Sequence, residues 1–296
     1  MVLNCFYNLV QPFRGLIHND TIVGFYRNRD AEEGNPRFYY IQSLNNLQYK
    51  KNIDYEFIPS YIDAYRNGCL YFGVFGGSIV YKLCADKSLT KQFTKYNDTL
   101  FYANKVMLYH DKTVVTSMNG VYIFDKQEKL VLKHKYLEEI LANGASSIVG
   151  NKLIFTEVEQ LLNPKDSTYK ATSWVHCVNL DAMKLIWSRK FANTYTSSSG
   201  DPSNGEQFSL KNNINTGANG DKIPRREEIA IPTHDSNYLL NLKDGAIIWD
   251  SEKAMKGLKF YAFKFEGNLC YGSNTNSIFC IDTKTNRVLW QVKRLL

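Results

Sequence analysis

Thiols and imidazoles are the side chains of this sequence that could most readily bind a metal or act as nucleophiles. The six cysteines include no Cys-x-x-Cys pair, and the five histidines are scattered along the chain. His176 and Cys177 are adjacent, but adjacent strand residues point to opposite faces, so they cannot share an ion there. His234, beside Asp235 in a predicted turn, is the histidine to test first if an activity is found.

Sequence motifs of the common catalytic and phosphate-binding sites do not occur. There is no Gly-x-Ser-x-Gly elbow and no Gly-x-x-x-x-Gly-Lys-Ser/Thr loop. A Ser/His/Asp or Cys/His arrangement stays open, because its members meet in space rather than in sequence. We therefore expect no enzyme activity, no catalytic residue, no metal site and no cofactor.

The cysteines also bear on the cellular compartment. Cys270 and Cys280 would lie opposite each other in a hairpin with its turn at 273–276, so a cross-strand disulfide is one option. Two buried, reduced thiols are favoured, because disulfides are rare in the cytosol. Residues 1–15 lack the basic and apolar regions of a signal peptide. We expect a cytoplasmic protein. A shortened form of an exported protein would show the same sequence features.

Composition excludes several classes of protein. Of the 296 residues 44% are hydrophobic, yet no apolar run is long enough to span a membrane, so no membrane insertion is expected. The 20 tyrosines and 17 phenylalanines favour strands. The net charge of +7 permits weak attraction to nucleic acid, but no dense Lys/Arg stripe occurs, which disfavours a nucleic-acid partner.

One four-strand unit recurs along the chain. Its clearest copy, residues 260–290, alternates apolar strands with Gly-Asn, Ser/Asn and polar turns, and its third strand ends at Asp282. Four short strands with tight turns make up one propeller blade. The second strands align at Ile22, Leu70, Val114, Leu153, Ile229 and Leu269. We predict an all-β fold, a single β-propeller domain over 1–296 with six four-stranded blades; the longest spacing leaves seven as the alternative.

Tryptophan recurs at one position of this unit. Trp187, Trp249 and Trp290 each follow Ile or Leu near the end of a predicted fourth strand, which favours packing between neighbouring blades. The run Asp282-Thr-Lys-Thr-Asn-Arg-Val-Leu-Trp290 resembles the pyrroloquinoline-quinone-type (quinoprotein-like) repeat, whose blades end in Asp-x-x-Thr-Gly-x-x-Leu-Trp. The resemblance implies the propeller scaffold. It does not imply the quinone enzyme, since adjacent cysteines, eight blades and an export signal are missing.

Long loops are where a rigid scaffold would contact a partner. Three segments, 28–36, 157–173 and 193–227, are long for a propeller and would share one face by its topology. Their mixed charges, tyrosines and arginines suit a protein partner. The candidate partner-binding residues are Arg29, Glu32, Glu33, Glu157, Glu159, Tyr169, Lys170, Tyr195, Arg225 and Arg226. Residues 2–10 form one further apolar strand, which we expect to close the ring.

The expected function follows from this scaffold. We expect a non-enzymatic, protein-binding propeller, similar to bacterial immunity proteins that neutralise a cognate toxin domain. The net charge of +7 has the wrong sign for steering toward a basic nuclease, unless the glutamate pairs at 32–33 and 157/159 form an acidic patch. An enzyme acting on a sugar or peptide in the propeller funnel, and an envelope-assembly scaffold, are the alternatives.

Overall fold

The computed structural model describes most of the predicted strands and their tight turns. The described residues are 14–18, 21–26, 37–43, 50–55, 64–73, 77–84, 88–96, 99–100, 103–136, 146–162, 169–192, 214–216, 222–224, 228–233, 236–255, 262–273 and 276–293. None of the helices in these segments is long and apolar enough to cross a membrane. The chain forms two compact units, Met1–Lys135 and Tyr136–Leu296, which are described in turn.

The first unit holds three four-stranded antiparallel sheets, each with its strands in chain order. Sheet 1 consists of β1 (Arg14–His18), β2 (Thr21–Tyr26), β3 (Arg37–Ser43) and β4 (Lys50–Tyr55). Sheet 2 consists of β5 (Ala64–Arg66), β6 (Cys69–Gly73), β7 (Val80–Cys84) and β8 (Leu89–Gln92). A short 3-10 helix, Thr94–Tyr96, precedes sheet 3, which consists of β9 (Ala103–Tyr109), β10 (Lys112–Ser117), β11 (Gly120–Phe124) and β12 (Leu130–Lys135).

The second unit repeats this plan. Sheet 4 consists of β13 (Ser146–Val149), β14 (Lys152–Leu162), β15 (Tyr169–Asn179) and β16 (Lys184–Phe191). A two-stranded hairpin, β17 (Ile214–Thr216) and β18 (Lys222–Pro224), comes before the three-stranded sheet 5 of β19 (Glu228–Pro232), β20 (Asn237–Asn241) and β21 (Ile247–Asp250). The helix α1 (Ser251–Ala254) follows, and sheet 6 consists of β22 (Ala262–Glu266), β23 (Leu269–Ser273), β24 (Ser277–Asp282) and β25 (Arg287–Lys293).

Burial falls from the middle strands of a sheet to its fourth strand. In sheet 3 every residue of β11 is buried, whereas β12 alternates between half-buried and exposed residues. Strands buried on both faces read as continuous apolar runs, and a strand with one solvated face alternates. Among the residues of the first unit whose burial is described, Val80, Phe93, Val106, Val115 and Phe124 form one buried cluster between sheets 2 and 3.

The turn before the last strand is built in the same way in sheets 3 to 6. An Asp or Asn at the end of the preceding strand, or directly after it, accepts a backbone N–H two residues on through its side-chain oxygen, at 2.8 to 2.9 Å. These residues are Asp125, Asn179, Asn241 and Asp282. The last turn residue has positive φ in each: Glu128, Met183, Gly245 and Asn286. The Asp/Asn signal in the repeat thus caps a turn.

The all-β, β-propeller fold class predicted from the sequence is confirmed by these consecutive four-stranded antiparallel sheets. Five of the six aligned residues lie on second strands; the exception, Ile229, lies on the first strand of the three-stranded sheet 5. The six-blade count and the single domain stay predictions. The proposed closing strand, 2–10, and the loop 28–36 lie outside the described residues.

Two loop predictions need correction. Most of the segment 157–173 is strand, because β14 and β15 continue as one long hairpin paired as far as Leu162 and Tyr169. The segment 193–227 contains the hairpin β17–β18, which its Ser, Gly and Asn content hid. Composition predicted turns correctly but missed backbone pairing that needs few apolar side chains.

The thiols are arranged differently from the sequence-based prediction in one respect. Cys270 and Cys280 are free and buried, so their reduced state is confirmed. They do not oppose each other: Cys270 pairs with Ile281, and Cys280 pairs with Tyr271. The disulfide instead joins Cys69 and Cys84, which are directly opposite across β6 and β7. Disulfides persist in oxidising compartments, so this pairing speaks against the expected cytoplasmic location, which stays a prediction.

Candidate functional site

Two of the repeated tryptophans bind one sheet of the second unit to the next. Trp187 on β16 is 8% exposed, and its indole N–H donates to the carbonyl of Leu242, in the turn before β21, at 3.0 Å. Trp249 on β21 is 3% exposed and donates to Oδ1 of Asn286, in the turn before β25, at 2.9 Å. The predicted packing between neighbouring sheets is therefore confirmed for these two residues.

Trp290 occupies the same position on β25 and is 43% exposed. Its ring lies 6.3 Å from the ring of Tyr271, and no acceptor among the described residues binds its indole N–H. Ile278 pairs with Val292 in the register that pairs Cys280 with Trp290, so these side chains share one face of sheet 6. Ile278 and Val292 are 43% and 60% exposed, which leaves this face apolar and open within the described part of the second unit.

Further exposed apolar residues lie on the last strands of sheets 4, 5 and 6. A pair of exposed apolar residues precedes each repeated tryptophan: Leu185 and Ile186, Ile247 and Ile248, and Val288 and Leu289. Since Trp187 and Trp249 hold the three sheets side by side, the three pairs follow one another along the second unit. We call these three pairs, with Ile278, Trp290 and Val292, the apolar rim.

Positive charge borders the rim at β25. All seven residues of this strand are exposed, Arg287 begins it, Lys293 ends it, and it contains no acidic residue. The nearest acidic side chain in sequence, Asp282, accepts hydrogen bonds within its own turn. Hydrogen bonds from the Lys284 amide and the Thr285 hydroxyl lower the pKa of Asp282, so it is ionised at neutral pH.

A buried carboxylate, an imidazole and a hydroxyl form a second candidate site in sheet 4. Oε2 of Glu157 lies 3.2 Å from Nε2 of His176, and Nδ1 of His176 lies 2.8 Å from Oγ of Ser188. With Glu157 ionised, Nε2 of His176 donates to it, because an ionised carboxylate only accepts. In that tautomer a neutral ring can accept the Ser188 hydroxyl proton at Nδ1, which is the connectivity of a nucleophile, a base and an orienting acid.

The sheet register explains this arrangement. His176 pairs with Phe155 on one side and with Ser188 on the other, and Glu157 lies two residues beyond Phe155 on the same face. The His176 ring stacks on Phe155 and on Trp174, with ring centroids 4.9 and 6.4 Å away. Glu157 is 2% exposed, whereas Ser188 is exposed on the fourth strand. The site therefore reaches solvent through the hydroxyl.

The predicted set of partner-binding residues stays a prediction, because most of its members lie outside the described residues. Glu157 is buried against His176, so it is not available to an outer surface, in contrast to the prediction. Glu159, Tyr169 and Lys170 lie on the paired strands β14 and β15 rather than on a loop. The remaining candidates lie outside the described residues, as does the pair His234–Asp235: Arg29, Glu32, Glu33, Tyr195, Arg225 and Arg226.

The sequence did contain signals for the residues that were missed. The apolar pair before each repeated tryptophan was readable from the sequence, because it recurs in three sheets. The hydrogen-bonded chain in sheet 4 needed the pairing of β14 with β15 and of β15 with β16, and Glu157 lay within the segment assigned to a loop. A register is set by the partner strand, so single-strand patterns did not reveal it.

Comparisons with known proteins give no family assignment. Neither a protein-family model nor a curated relative matches the chain. Among solved structures, it is similar to virginiamycin B lyase from Staphylococcus aureus at 9% identity and a TM-score of 0.49, covering 100% of this chain and 87% of that one. The AfRom2 CNH domain follows at 10% identity and 0.44, covering 96% and 84%, and the Neurospora crassa Pan2 WD40 domain at 8% and 0.40, covering 80% and 66%. The quinoprotein-like resemblance stays a prediction, and the fold class rests on the sheets of this chain.

Proposed function

We propose that this protein is a non-enzymatic, protein-binding β-propeller. The observation that carries the proposal is the apolar rim, which contains every exposed large hydrophobic residue of the described part except Val131. Exposed apolar residues gathered on neighbouring sheets favour an interaction surface, whereas single exposed apolar residues need no explanation. Trp290 at its end is the residue type most enriched among energetically dominant interface contacts.

The partner we propose is a toxin domain that the protein neutralises by binding. Neutralisation needs a rigid surface and no chemistry of its own, which agrees with a surface of apolar side chains bordered by charge. The net charge of +7 and the basic ends of β25 attract a negatively charged protein. The partner is therefore an acidic domain, and the basic nuclease considered from the sequence is disfavoured.

The experiment is capture of the tagged full chain from its native host, followed by expression of each captured protein alone and together with this chain. We expect a captured acidic domain that stops growth alone and is harmless with the chain. Leu289→Asp should abolish the rescue, because it places a charge in the rim. Val131→Asp is the matched control, since Val131 is also an exposed fourth-strand residue but lies outside the rim. Rescue that survives Leu289→Asp would remove the rim from the interface, and rescue by no captured protein would remove the immunity function.

A second candidate function is hydrolysis, favoured by the Glu157, His176 and Ser188 chain. A fluorophosphonate probe would form a covalent bond to an activated serine Oγ and release fluoride, with the proton passing to His176. Labelling of Ser188 in the folded protein, lost in His176→Ala and after denaturation, would support an enzyme. No labelling above that of the denatured chain would leave the three residues as a structural hydrogen-bonded group.

A further inference from the structure

We propose that the disulfide between Cys69 and Cys84 is an exchange site for small anionic thiols, of which glutathione is the chemical type, and that the mixed disulfide forms on Cys84. The site lies in sheet 2, within the first unit, and is independent of the protein-binding function proposed above. Three observations support it: the place of the disulfide in the sheet, the charge around it, and the strand pairing that holds its two cysteines.

The disulfide occupies the last row of sheet 2. Cys69 is the first residue of β6, directly after the turn of Asn67 and Gly68, and Cys84 is the last residue of β7. Cys69 is 7% exposed, whereas Cys84 is half-buried. The rate of thiol–disulfide exchange depends on access of the attacking thiolate to one of the sulfur atoms. Cys84 is therefore the cysteine that a thiol from solvent reaches more easily.

Two cations share the face of sheet 2 that bears the disulfide. Arg66 lies directly opposite Cys69 across β5 and β6. Lys82 lies two residues before Cys84, on the same face of the sheet. Both side chains pack on the ring of Tyr71, with Cζ of Arg66 6.0 Å and Nζ of Lys82 5.8 Å from its centroid. The tyrosine thus holds two positive charges beside the row of the disulfide.

These charges exceed the negative charge around them among the described residues. Burial lowers the pKa of Arg66, and Asp111, in the turn between β9 and β10, offsets part of this shift. The carboxylate of Asp111 also lies 3.7 Å from Nζ of Lys112. One carboxylate therefore faces the three cations Arg66, Lys82 and Lys112, and the surroundings of the disulfide stay positive.

A positive environment favours both partners in the exchange. It attracts a thiolate that also carries a carboxylate or a sulfonate, and it repels a thiol that carries an ammonium group. Nearby cations also lower the pKa of a thiol, so Arg66 stabilises the thiolate that Cys69 becomes when the disulfide opens. A leaving thiol of lower pKa leaves faster. We therefore expect anionic thiols to react in preference to neutral and cationic ones.

The exchange balances with two thiols. A thiolate RS⁻ attacks Sγ of Cys84, the bond between the two cysteine sulfurs breaks, and the electron pair leaves on Cys69. A second thiolate attacks the sulfur of the RS group, which releases RSSR and the Cys84 thiolate. The two thiols lose two electrons, and the disulfide gains them.

The strand pairing makes this reaction reversible. Cys69 and Cys84 lie directly opposite each other through the register of β6 and β7, which does not depend on the bond between them. The carbonyl of Asn67, 3.6 Å from Sγ of Cys69, can accept the thiol proton of the reduced form. Attack of the paired thiols on RSSR by the reverse steps therefore restores the disulfide.

The first test compares three small thiols on the native, full-length chain: anionic mercaptoethanesulfonate, neutral mercaptoethanol and cationic cysteamine. Iodoacetamide traps the opened cysteine, and peptide mass spectrometry locates the mixed disulfide. Each rate is divided by the rate on the chain denatured in urea, which corrects for the intrinsic reactivity of the thiol. We expect the anionic thiol to have the highest corrected rate and its adduct to lie on Cys84.

Arg66→Gln with Lys82→Gln tests the charges. It should slow the anionic thiol by about fivefold or more, because it removes two charges within a few ångströms of the reacting sulfurs. Mercaptoethanol should stay within about twofold of its rate on the parent, since loosening of the fold would accelerate the neutral thiol as well.

The matched control is Lys91→Gln with Lys126→Gln, which makes the same change of net charge at two exposed lysines. Lys91 pairs with Tyr81 and so lies on the opposite face of sheet 2, and Lys126 lies in the turn before β12. All three rates should stay within about twofold of the parent, because remote surface charges are largely screened. An equal slowing in both double variants would show that overall charge sets the rate, and the proposal would be wrong.

Reversibility separates an exchange site from a purely structural disulfide. In buffers of reduced and oxidised glutathione, the oxidised and the reduced chain should converge on one ratio of disulfide to dithiol, with the circular dichroism of the folded protein throughout. Reaction only at the rate of unfolding, adducts mainly on Cys69, or equal corrected rates for the three thiols would each overturn the proposal. None of these results would affect binding through the apolar rim, which the capture experiment tests separately.

Discussion

The side chain of Trp187 lies directly on the α-carbon of Gly245. A Cβ added at Gly245 would stand 2.7 Å from Cδ2 of Trp187, closer than side-chain atoms tolerate. The same glycine has a φ of +69°, and its carbonyl accepts a hydrogen bond from Nε of Arg189 at 2.8 Å. Gly245 thus fixes both the turn before β21 and the distance between sheets 4 and 5.

Gly245→Ala should destabilise the protein for two separable reasons. The left-handed backbone costs an alanine about 1 kcal/mol, and the forced displacement of the Trp187 ring adds about 1–3 kcal/mol. Gly150→Ala is the matched control, because Gly150 also has positive φ, +58°, but an added Cβ there meets nothing within 4 Å. Urea denaturation should therefore show a larger loss for Gly245→Ala. Equal losses of stability in the two variants would show that the Trp187 ring moves aside at no cost in free energy.

The disulfide between Cys69 and Cys84 should contribute measurably to stability. It joins residues 15 apart, and closing a loop of that length stabilises a folded chain by about 3 kcal/mol through the entropy of the unfolded state. Adding reductant should lower the urea midpoint of the parent protein to that of the Cys69→Ser, Cys84→Ser variant. That variant should not respond to reductant. A parent midpoint that reductant leaves unchanged would contradict the pairing.

Stability should fall above about pH 8.5 because of two buried thiols. Burial raises the pKa of Cys177 and of Cys270 to about 12. An unfolded thiol ionises near pH 8.5, so the unfolded state loses protons first and is favoured as the pH rises from there toward 12. The free energy of unfolding should therefore be lower at pH 9.5 than at pH 7.5. In the Cys177→Ala, Cys270→Ala variant this difference should shrink; an unchanged difference would place its cause elsewhere.

The buried pair of Glu157 and His176 should be costly to break from either side. Removing one member of a buried hydrogen bond leaves the polar group of the other without that bond, which costs about 1–3 kcal/mol and more for a charged group. Glu157→Ala is therefore expected to lower stability far more than Ser188→Ala, which removes the exposed end of the chain at about 1 kcal/mol. Glu157→Gln keeps an acceptor for Nε2 of His176 and should fall between them. A Glu157→Ala variant as stable as Ser188→Ala would contradict this account.

Features of the fold that depend on local sequence patterns were predicted better than features that depend on which strands pair. The four-strand unit and the tryptophan position were readable because strand alternation and turn residues are local, and Trp187 and Trp249 pack as expected. The long hairpin of β14 and β15 was not readable from the sequence, because its pairing continues through polar residues that a composition rule assigns to a loop. The position of Glu157 was predicted wrongly for the same reason. A charged residue in an apparent loop was expected to be exposed, whereas its hydrogen bond with His176 allows it to be buried.

The turn that precedes the last strand in sheets 3 to 6 has a practical consequence for engineering. Each of its four copies needs a left-handed residue, and only the Gly245 copy fills that place with glycine. Glu128 has a structural role at this position, because its carboxylate accepts a hydrogen bond from the amide N–H of Phe93 at 3.0 Å. Met183, with a φ of +51° and an apolar side chain, cannot make such a carboxylate hydrogen bond, and its backbone carries strain that a glycine would relieve. We therefore expect Met183→Gly to raise the melting temperature and to leave the apolar rim unchanged.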